Sequence, residues 1–395
     1  MREKVAVVAP CPFFIDRGTP LRIKRLATAL SAEFDIHVVC YGQGRDADFP
    51  FMLHRTPKIP LPITRAGANL AKLCYDPLLF FTLIRTVRRE RIRVIDGHLH
   101  EGAFLGLLVR MLTGAKVIYN AHGTFVPELI ATGALKENSS LVKPLSAFEL
   151  GVEKRVDRIV AQSFMRRDEF VARGHDPAKI AVVEDVPELD DFDLPDDRID
   201  RELERRLRPN NEKLLIYSGG METYQGVDFL IAAFAEVARQ RLDVRLVLFG
   251  RPLAEYRRII ADLNLDDRVV FVDDEPFERL PQYLIICDIG FALRLYGENV
   301  PGKLPIYLAS GIAVVGTDAK GINTVITHND TGMLVPPNDV SALVAVILNL
   351  LDDPEKLREI GERGKIEARR RYDPTEAIRV LGKMYRKLLA TVPSE

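Results

Sequence analysis

The sequence predicts an α/β protein of two Rossmann-like, doubly wound domains facing each other across a cleft. Three observations carry that expectation. Short apolar, β-rich runs alternate with helical patterns, as in a parallel sheet wrapped on both faces. The alternation stops once, in an acidic, Pro-containing stretch near the middle, and then restarts. Finally, 395 residues with 47% apolar and 28% charged content exceed one ordinary core and suit two domains of common size.

Taken in order, VAVVAP, IHVVCYG, the weaker FMLHR, IRVIDGH, AKVIYNAHG and VDRIVAQS read as strands ending near Gly, Pro or polar residues. Helical spacing separates them at Pro20 to Glu33, Leu78 to Arg91 and Glu101 to Leu112. Residues 1–190 form the expected first domain. KIAVVEDVPELDDFDLPDDR then loses its apolar periodicity, which places a linker at 191–208. KLLIYSGG, DVRLVLFG, RVVFV, CDIGFAL, IAVVG and MLVP restart the pattern, so residues 209–372 form a second domain of the same class. In the last segment, 373–395, a helix from Pro374 to Leu389 carries Ile378, Leu381, Met384, Tyr385, Leu388 and Leu389 at helical spacing. It is expected to pack along a groove, the first domain being one candidate.

Composition limits the partners. A net charge of -1 offers no general affinity for nucleic acid. Cys11, Cys40, Cys74 and Cys287 show no paired spacing, so neither a zinc site nor a disulfide framework is expected and a reducing cytoplasm fits. MREKVAVVAP runs straight into a strand with no secretory signal pattern. The apolar patch PLLFFTLI is far short of a membrane span. From Lys58 to Arg93, an apolar set (Leu70, Leu73, Leu78, Leu79, Phe80, Phe81, Ile84) mixes with Lys72, Arg85, Arg88, Arg89, Arg91 and Arg93. That mixture is compatible with peripheral contact at the inner face of a membrane, and equally with a domain helix bearing a solvated basic face.

Ligands of open α/β sheets sit beyond the carboxyl ends of the strands, so the loops there are the candidates. In CPFFIDRGTPLR, Gly18 and Thr19 precede a helix, as an amide surface for a sugar or phosphate or as a plain turn and cap. In DGHLHEGA, His98, His100 and Glu101 stand at a strand end. The HxH spacing invites a metal, but no further ligand accompanies it, and acceptor contact or capping is the preferred reading. YNAHGTFVPEL ends a strand at His122, a candidate partner of a substrate hydroxyl, with Glu128 six residues on. YSGGMETYQGVDFL offers Gly219 and Gly220 for close backbone approach, and Gln225-Gly226 before a helix; it lacks the GxxxxGK[ST] and dinucleotide patterns. Last, in RLYGENVPGKLPIYLASG, Pro301 is expected at the first position of a helix, with Arg294, Glu298, Asn299, Val300 and Lys303 grouped about an anion site at its start.

Together, GTPLRIKRLATAL, HLHEGAFLG, IYNAHGTFVPEL, YSGGMETYQGVDFL and NVPGKLPIYLASG resemble, in order, the motifs of the retaining glycosyltransferases of family 4, within a subgroup bearing a YQG signature. The resemblance runs over nearly the whole chain. It implies the two-domain GT-B fold, a nucleotide-sugar donor held mainly by the C-terminal domain, an acceptor on the N-terminal side, retained anomeric configuration, and no metal or other resident cofactor. It departs at two places. The family's Arg and Lys in the fourth loop fall on Met221 and Gln225, and the second glutamate of its paired motif falls on Ile306, while the first is Glu298.

Breaking a sugar–phosphate bond leaves negative charge on the diphosphate and positive charge on the ring, so fixed donors at the phosphates should supply much of the catalysis. The expectation is therefore a metal-independent transferase acting on a glycan, lipid-linked or small-molecule acceptor. Its catalytic residues are Glu298 and His122, its donor is held by Gly219, Gly220, Gln225, Gly226, Arg294, Asn299, Val300 and Lys303, and Gly18, Thr19, His100, Glu101 and Glu128 lie on the acceptor side. A sugar-nucleotide epimerase on the same fold and a non-catalytic nucleotide-sugar binder are the alternatives.

Overall fold

In the computed structural model, residues 2–13, 18–44, 48–60, 70–131, 135–184, 191, 198–250, 254–295 and 300–391 are described. The chain divides into two compact units, Met1–Val186 with Pro374–Glu395, and Pro187–Asp373.

The first unit is built on strands β1 (Lys4–Pro12), β2 (Asp35–Tyr41), β3 (Met52–Arg55), β4 (Val94–His98), β5 (Lys116–Asn120), β6 (Arg158–Ala161) and β7 (Ile180–Val182). They form one parallel sheet in the order β3-β2-β1-β4-β5-β6-β7. Its helices are α1 (Gly18–Leu30), α2 (Leu70–Glu90), α3 (Leu99–Thr113), α4 (Phe125–Ala131), α5 (Val142–Arg155) and α6 (Phe164–Ala172). The strand order reverses between β1 and β4, so the crevice beyond their carboxyl ends is the natural place for a ligand.

The second unit repeats the plan. It contains α7 (Arg201–Leu207), β8 (Lys213–Ser218), α8 (Val227–Gln240), β9 (Val244–Phe249), α9 (Ala254–Asp262), β10 (Val269–Val272), α10 (Leu280–Leu284) and β11 (Ile289–Ala292). After these come α11 (Lys303–Ala309), β12 (Ala313–Thr317), β13 (Met333–Val335), α12 (Val340–Asp352) and α13 (Pro354–Arg371). The sheet is parallel in the order β10-β9-β8-β11-β12-β13, with its reversal between β8 and β11.

The last helix, α14 (Pro374–Leu389), belongs to the first unit. Ala377, Leu381, Met384, Tyr385, Leu388 and Leu389 share one core with Val94 of β4, Ile118 of β5 and Ile23 of α1. Each leucine so buried contributes roughly 1.5 to 3 kcal/mol relative to exposure.

Four details differ from expectation. IAV at 180–182, not counted among the expected strands of the first domain, is a seventh strand; it pairs with β6 from Ile159 to Ala161. Arg201–Leu207, read as linker, is a helix with Leu203 and Leu207 buried under the second sheet. Helix α2 begins before Pro77 rather than after it. The turn ahead of the proline is held by tertiary contacts: Tyr75 is buried, and the Tyr41 hydroxyl donates to Asp76 at 2.6 Å. Finally, α11 starts at Lys303 and not at Pro301, whose carbonyl instead accepts from the Leu304 amide in a turn.

Candidate functional site

In the first unit, period-two alternation along β4 puts Asp96 and His98 on one face, and the register pairs His98 with Asn120 of β5. That face is the one covered by α14, and all three side chains are buried. The Tyr385 hydroxyl donates to Asp96 Oδ2 at 2.6 Å, and Asn120 Nδ2 approaches the same oxygen at 3.5 Å. His98 Nε2 lies 3.9 Å from Asp96 Oδ2, while its Nδ1 is 2.7 Å from Nε2 of His122, just past β5. Burial pushes the Asp96 carboxyl up to about 6, against the hydrogen bonds from Tyr385 and Asn120 and the positive charge of Arg22 on α1. Burial likewise lowers His98 to about 3, and Arg22 adds to the effect. His122 is held well below the ordinary histidine value by burial, then by His98 and Arg22. Both imidazoles are therefore neutral near pH 7.

Leu99 separates the two histidines of HxH. Its left-handed φ of 60° turns the chain from β4 into α3, so His98 meets His122 while His100 faces another cluster. His100 Nε2 lies 2.9 Å from the Tyr119 hydroxyl and 3.5 Å from both Glu149 Oε1 and Glu153 Oε1 of α5. Their ligand atoms fall within 4.8 Å of one another, a grouping that could hold a metal ion. Carboxylates thus accompany His100 where the sequence showed none. Arg173 Nη1 already stands 3.1 Å from Glu153 and 3.6 Å from Glu149, and His175 Nε2 is 2.8 Å from Glu153. The pair has its positive charge from the protein.

Of the remaining acceptor-side residues, Glu101 forms an ion pair with Lys72 of α2 at 3.0 Å. Gly18 and Thr19 open α1, so Thr19 is inside the helix and not ahead of it. Glu128 belongs to α4, and its side chain lies outside the described residues. The structure brings His122 to His98, Asp96, Asn120 and Tyr385, and places His100 and Glu101 with other partners. Asp96 and Tyr385 were missed by sequence reasoning. Their signal was an aspartate inside the otherwise apolar run VID and a tyrosine on the apolar face of α14.

In the second unit the candidates gather where β8 and β11 end. Gly226 sits at the head of α8 with φ 74°, and a β-carbon there would stand 2.1 Å from the Leu293 carbonyl oxygen just past β11. Only glycine allows that approach. Gln225 Nε2 donates to the Tyr224 hydroxyl at 3.2 Å, and the Leu295 amide donates to the Tyr224 carbonyl at 2.9 Å. Lys303 at the head of α11 lays its ammonium 3.6 Å above the Tyr217 ring, and that nitrogen is buried with no hydrogen-bond partner among the described residues. It also lies 3.5 Å from where a Gly219 β-carbon would be. The Arg294 guanidinium stands 5.6 Å over the Tyr224 ring. Burial depresses Lys303 well below the ordinary lysine value, Arg294 adds repulsion, and Glu222 opposes both. Burial lowers Arg294 as well.

Ile306 and Met221 explain their own departures from the family motifs. Ile306 is 4% exposed in the core beneath α11, next to Tyr307, whose hydroxyl donates to Ser218 Oγ at 2.9 Å and accepts from the Ser218 amide. Met221 is 3% exposed, packed in the opposite core, and its carbonyl accepts from Tyr256. Val300 is half-buried against the α11 core. Glu298 and Asn299 lie outside the described residues.

Two parallel, doubly wound units in succession are the architecture of the GT-B glycosyltransferases. Residues 17–185 match the family model for Glycosyltransferase Family 4, and residues 199–367 match that for Glycosyl transferases group 1. Between them the two models match most of the chain, and both halves are similar to glycosyltransferases of the family 4 type. The chain is similar to a D-inositol 3-phosphate glycosyltransferase of Corynebacterium efficiens, 27% identical over 203 residues, 49% of this chain and 48% of that protein. It is also similar to a phosphatidyl-myo-inositol mannosyltransferase of Mycolicibacterium smegmatis, 22% identical over 354 residues, 89% of this chain and 86% of that one. The chain spans about half the length of the curated relatives it matches first. Among solved structures, Anabaena HepE in complex with UDP superposes with a TM-score of 0.75 at 16% identity, over 98% of this chain and 100% of that one, and so shares the fold.

Proposed function

We propose that the chain is a retaining, metal-independent glycosyltransferase of the YQG subgroup. It moves a sugar from a nucleotide-sugar donor to a glycan, lipid-linked or small-molecule acceptor. The observation that supports this best is the buried Lys303 ammonium, a cation without a hydrogen-bonded anion among the described residues. Burying a charge is costly unless it is paired, so the site favours an incoming anion. A leaving diphosphate supplies one. Lys303 and Arg294 take the place of the cations that Met221 and Gln225 do not provide, and the glycines 219, 220 and 226 let backbone approach the donor.

Glu298 is assigned to the sugar hydroxyls or the oxocarbenium-like centre, Asn299 and Val300 to the donor, and His122 to a substrate hydroxyl. The names of the similar proteins refer to an inositol phosphate and a phosphatidyl-inositol, so phosphorylated polyols and their lipids are the first acceptors to try. A thermal-shift screen across sugar nucleotides identifies the donor, since a ligand bound only by the folded state raises its stability. Release of nucleoside diphosphate that depends on acceptor confirms transfer. An epimer formed from donor alone replaces this reading with an epimerase, and binding without turnover replaces it with a non-catalytic binder.

A further inference from the structure

The first unit contains a polar file that ends at His122 and whose other three members the transfer reaction as described does not use. Tyr385, Asp96, His98 and His122 stand in sequence, with separations of 2.6 Å, 3.9 Å and 2.7 Å. The outer contacts are hydrogen bonds; the middle one is longer, but within reach of the carboxylate's field. Four surroundings act on Asp96: Tyr385 from α14, Arg22 from α1, Asn120 from β5 and His98 on its own strand.

We propose that Asp96, held in place by the Tyr385 hydroxyl, is a positioning residue that sets the tautomers of His98 and His122. The inference rests on the reading that His122 meets a substrate hydroxyl. A neutral imidazole carries one proton, and the hydrogen bond at one nitrogen determines the role of the other. Negative charge on Asp96 favours a proton on His98 Nε2, the nitrogen facing it. His98 Nδ1 is then bare and accepts across the 2.7 Å contact, so His122 must donate from Nε2. His122 Nδ1 is left as an acceptor for a hydroxyl proton. The opposite tautomer would make Nδ1 a donor, unable to accept that proton. The chain's last helix thereby controls the hydrogen-bonding sense of a residue 263 positions before it (385 − 122).

Histidine-selective 15N NMR of the intact chain tests the assignment without needing turnover. Single replacements of the histidines assign the signals. In the parent, His98 and His122 should each show Nε2 protonated and Nδ1 bare. In Asp96→Asn, where the side chain can donate as well as accept, His98 should show a mixture of tautomers and His122 should follow it. The activity arm uses Tyr385→Phe, which removes one oxygen and keeps the ring against Phe34. Losing a hydrogen bond to the carboxylate raises its pKa, here by about one unit, so kcat should fall about fivefold at pH 6 and stay within about twofold at pH 8.5, with donor KM unchanged. Tautomers unchanged in Asp96→Asn overturn the proposal. So does a Tyr385→Phe loss of equal size at every pH, which is what a purely structural role predicts. If the parent turns over no donor at all, the functional reading fails while the NMR result still decides the positioning role.

Discussion

The Tyr385 hydroxyl and the Asp96 carboxylate, 289 residues apart in sequence, meet at 2.6 Å in the interior of the first unit. The contact joins the final helix to the strand that ends at His98. It also fixes the fate of a buried carboxyl whose ionisation the surroundings resist.

That resistance makes a stability prediction. The Asp96 carboxyl titrates at about 6 when folded and near 3.9 when unfolded, so its contribution to stability is full below about pH 4 and is lost as pH rises through 6. Asp96→Asn keeps the shape without the charge. Its unfolding free energy relative to the parent should rise by on the order of 2 kcal/mol between pH 4 and pH 7, as chemical denaturation measures. A difference independent of pH would show that Asp96 does not titrate in this range.

Lys303→Met should weaken donor binding by about ten- to a hundredfold, since one charge-assisted contact is worth about 1.5 to 3 kcal/mol. The same change should stabilise the ligand-free protein, because it removes a buried ammonium that lacks a hydrogen-bond partner. Adding Gln225→Lys should recover part of the affinity. Calorimetric titration with the donor checks both steps; unchanged affinity in Lys303→Met places the phosphates elsewhere.

The same lysine gives a pH signature. Its folded pKa lies well below the unfolded value, so the unfolded chain binds the extra proton and stability rises with pH, up to about 10.4. Melting curves of the parent should gain on those of Lys303→Met across the alkaline range. Saturating pyrophosphate should reduce the difference, since an anion favours the charged lysine. Parallel curves without ligand would remove the buried-cation argument.

Gly226→Ala should cost about 2 kcal/mol or more, because an alanine there needs a left-handed backbone and places its β-carbon 2.1 Å from the Leu293 carbonyl oxygen. Thermal unfolding reads the loss. Donor affinity should fall with it, as the Tyr224–Gly226 turn is pushed away from the end of β11.

Membrane contact through α2 should be electrostatic. Leu79, Leu83 and Val87 are buried in the core, leaving Phe81 and the arginines Arg85, Arg88 and Arg89 exposed. If α2 faces a membrane rather than being a domain helix with a solvated basic face, the protein co-sediments with anionic vesicles at low salt and is released at high salt and in an Arg85→Glu, Arg88→Glu, Arg89→Glu variant. No binding even at low salt ends the membrane hypothesis. Among the described residues, no helix is long and apolar enough to cross a membrane.

Sequence by itself determined the parts of this protein that depend on local pattern. Buried parallel strands must be continuous apolar runs, so β8, β9 and β11 were visible as such, and α14 was legible to the residue from its apolar spacing. The short edge strand β7 and the helix α7 were not: β7 has only three residues and leads straight into the acidic stretch, α7 carries only Leu203 and Leu207 among charges, and each gains meaning only from the sheet it joins or covers. Ordered motifs pointed to a family and to His122 and Lys303 as residues of interest. What each meets was decided by tertiary structure. HxH at 98–100 reads as one pair, yet the left-handed turn at Leu99 sends the two rings to different neighbourhoods. Ile306 and Met221 looked like losses from a binding site; packing turns both into core. Asp96 and Tyr385 lie too far apart for any spacing rule to join them, and only the return of the last helix to the first sheet does so.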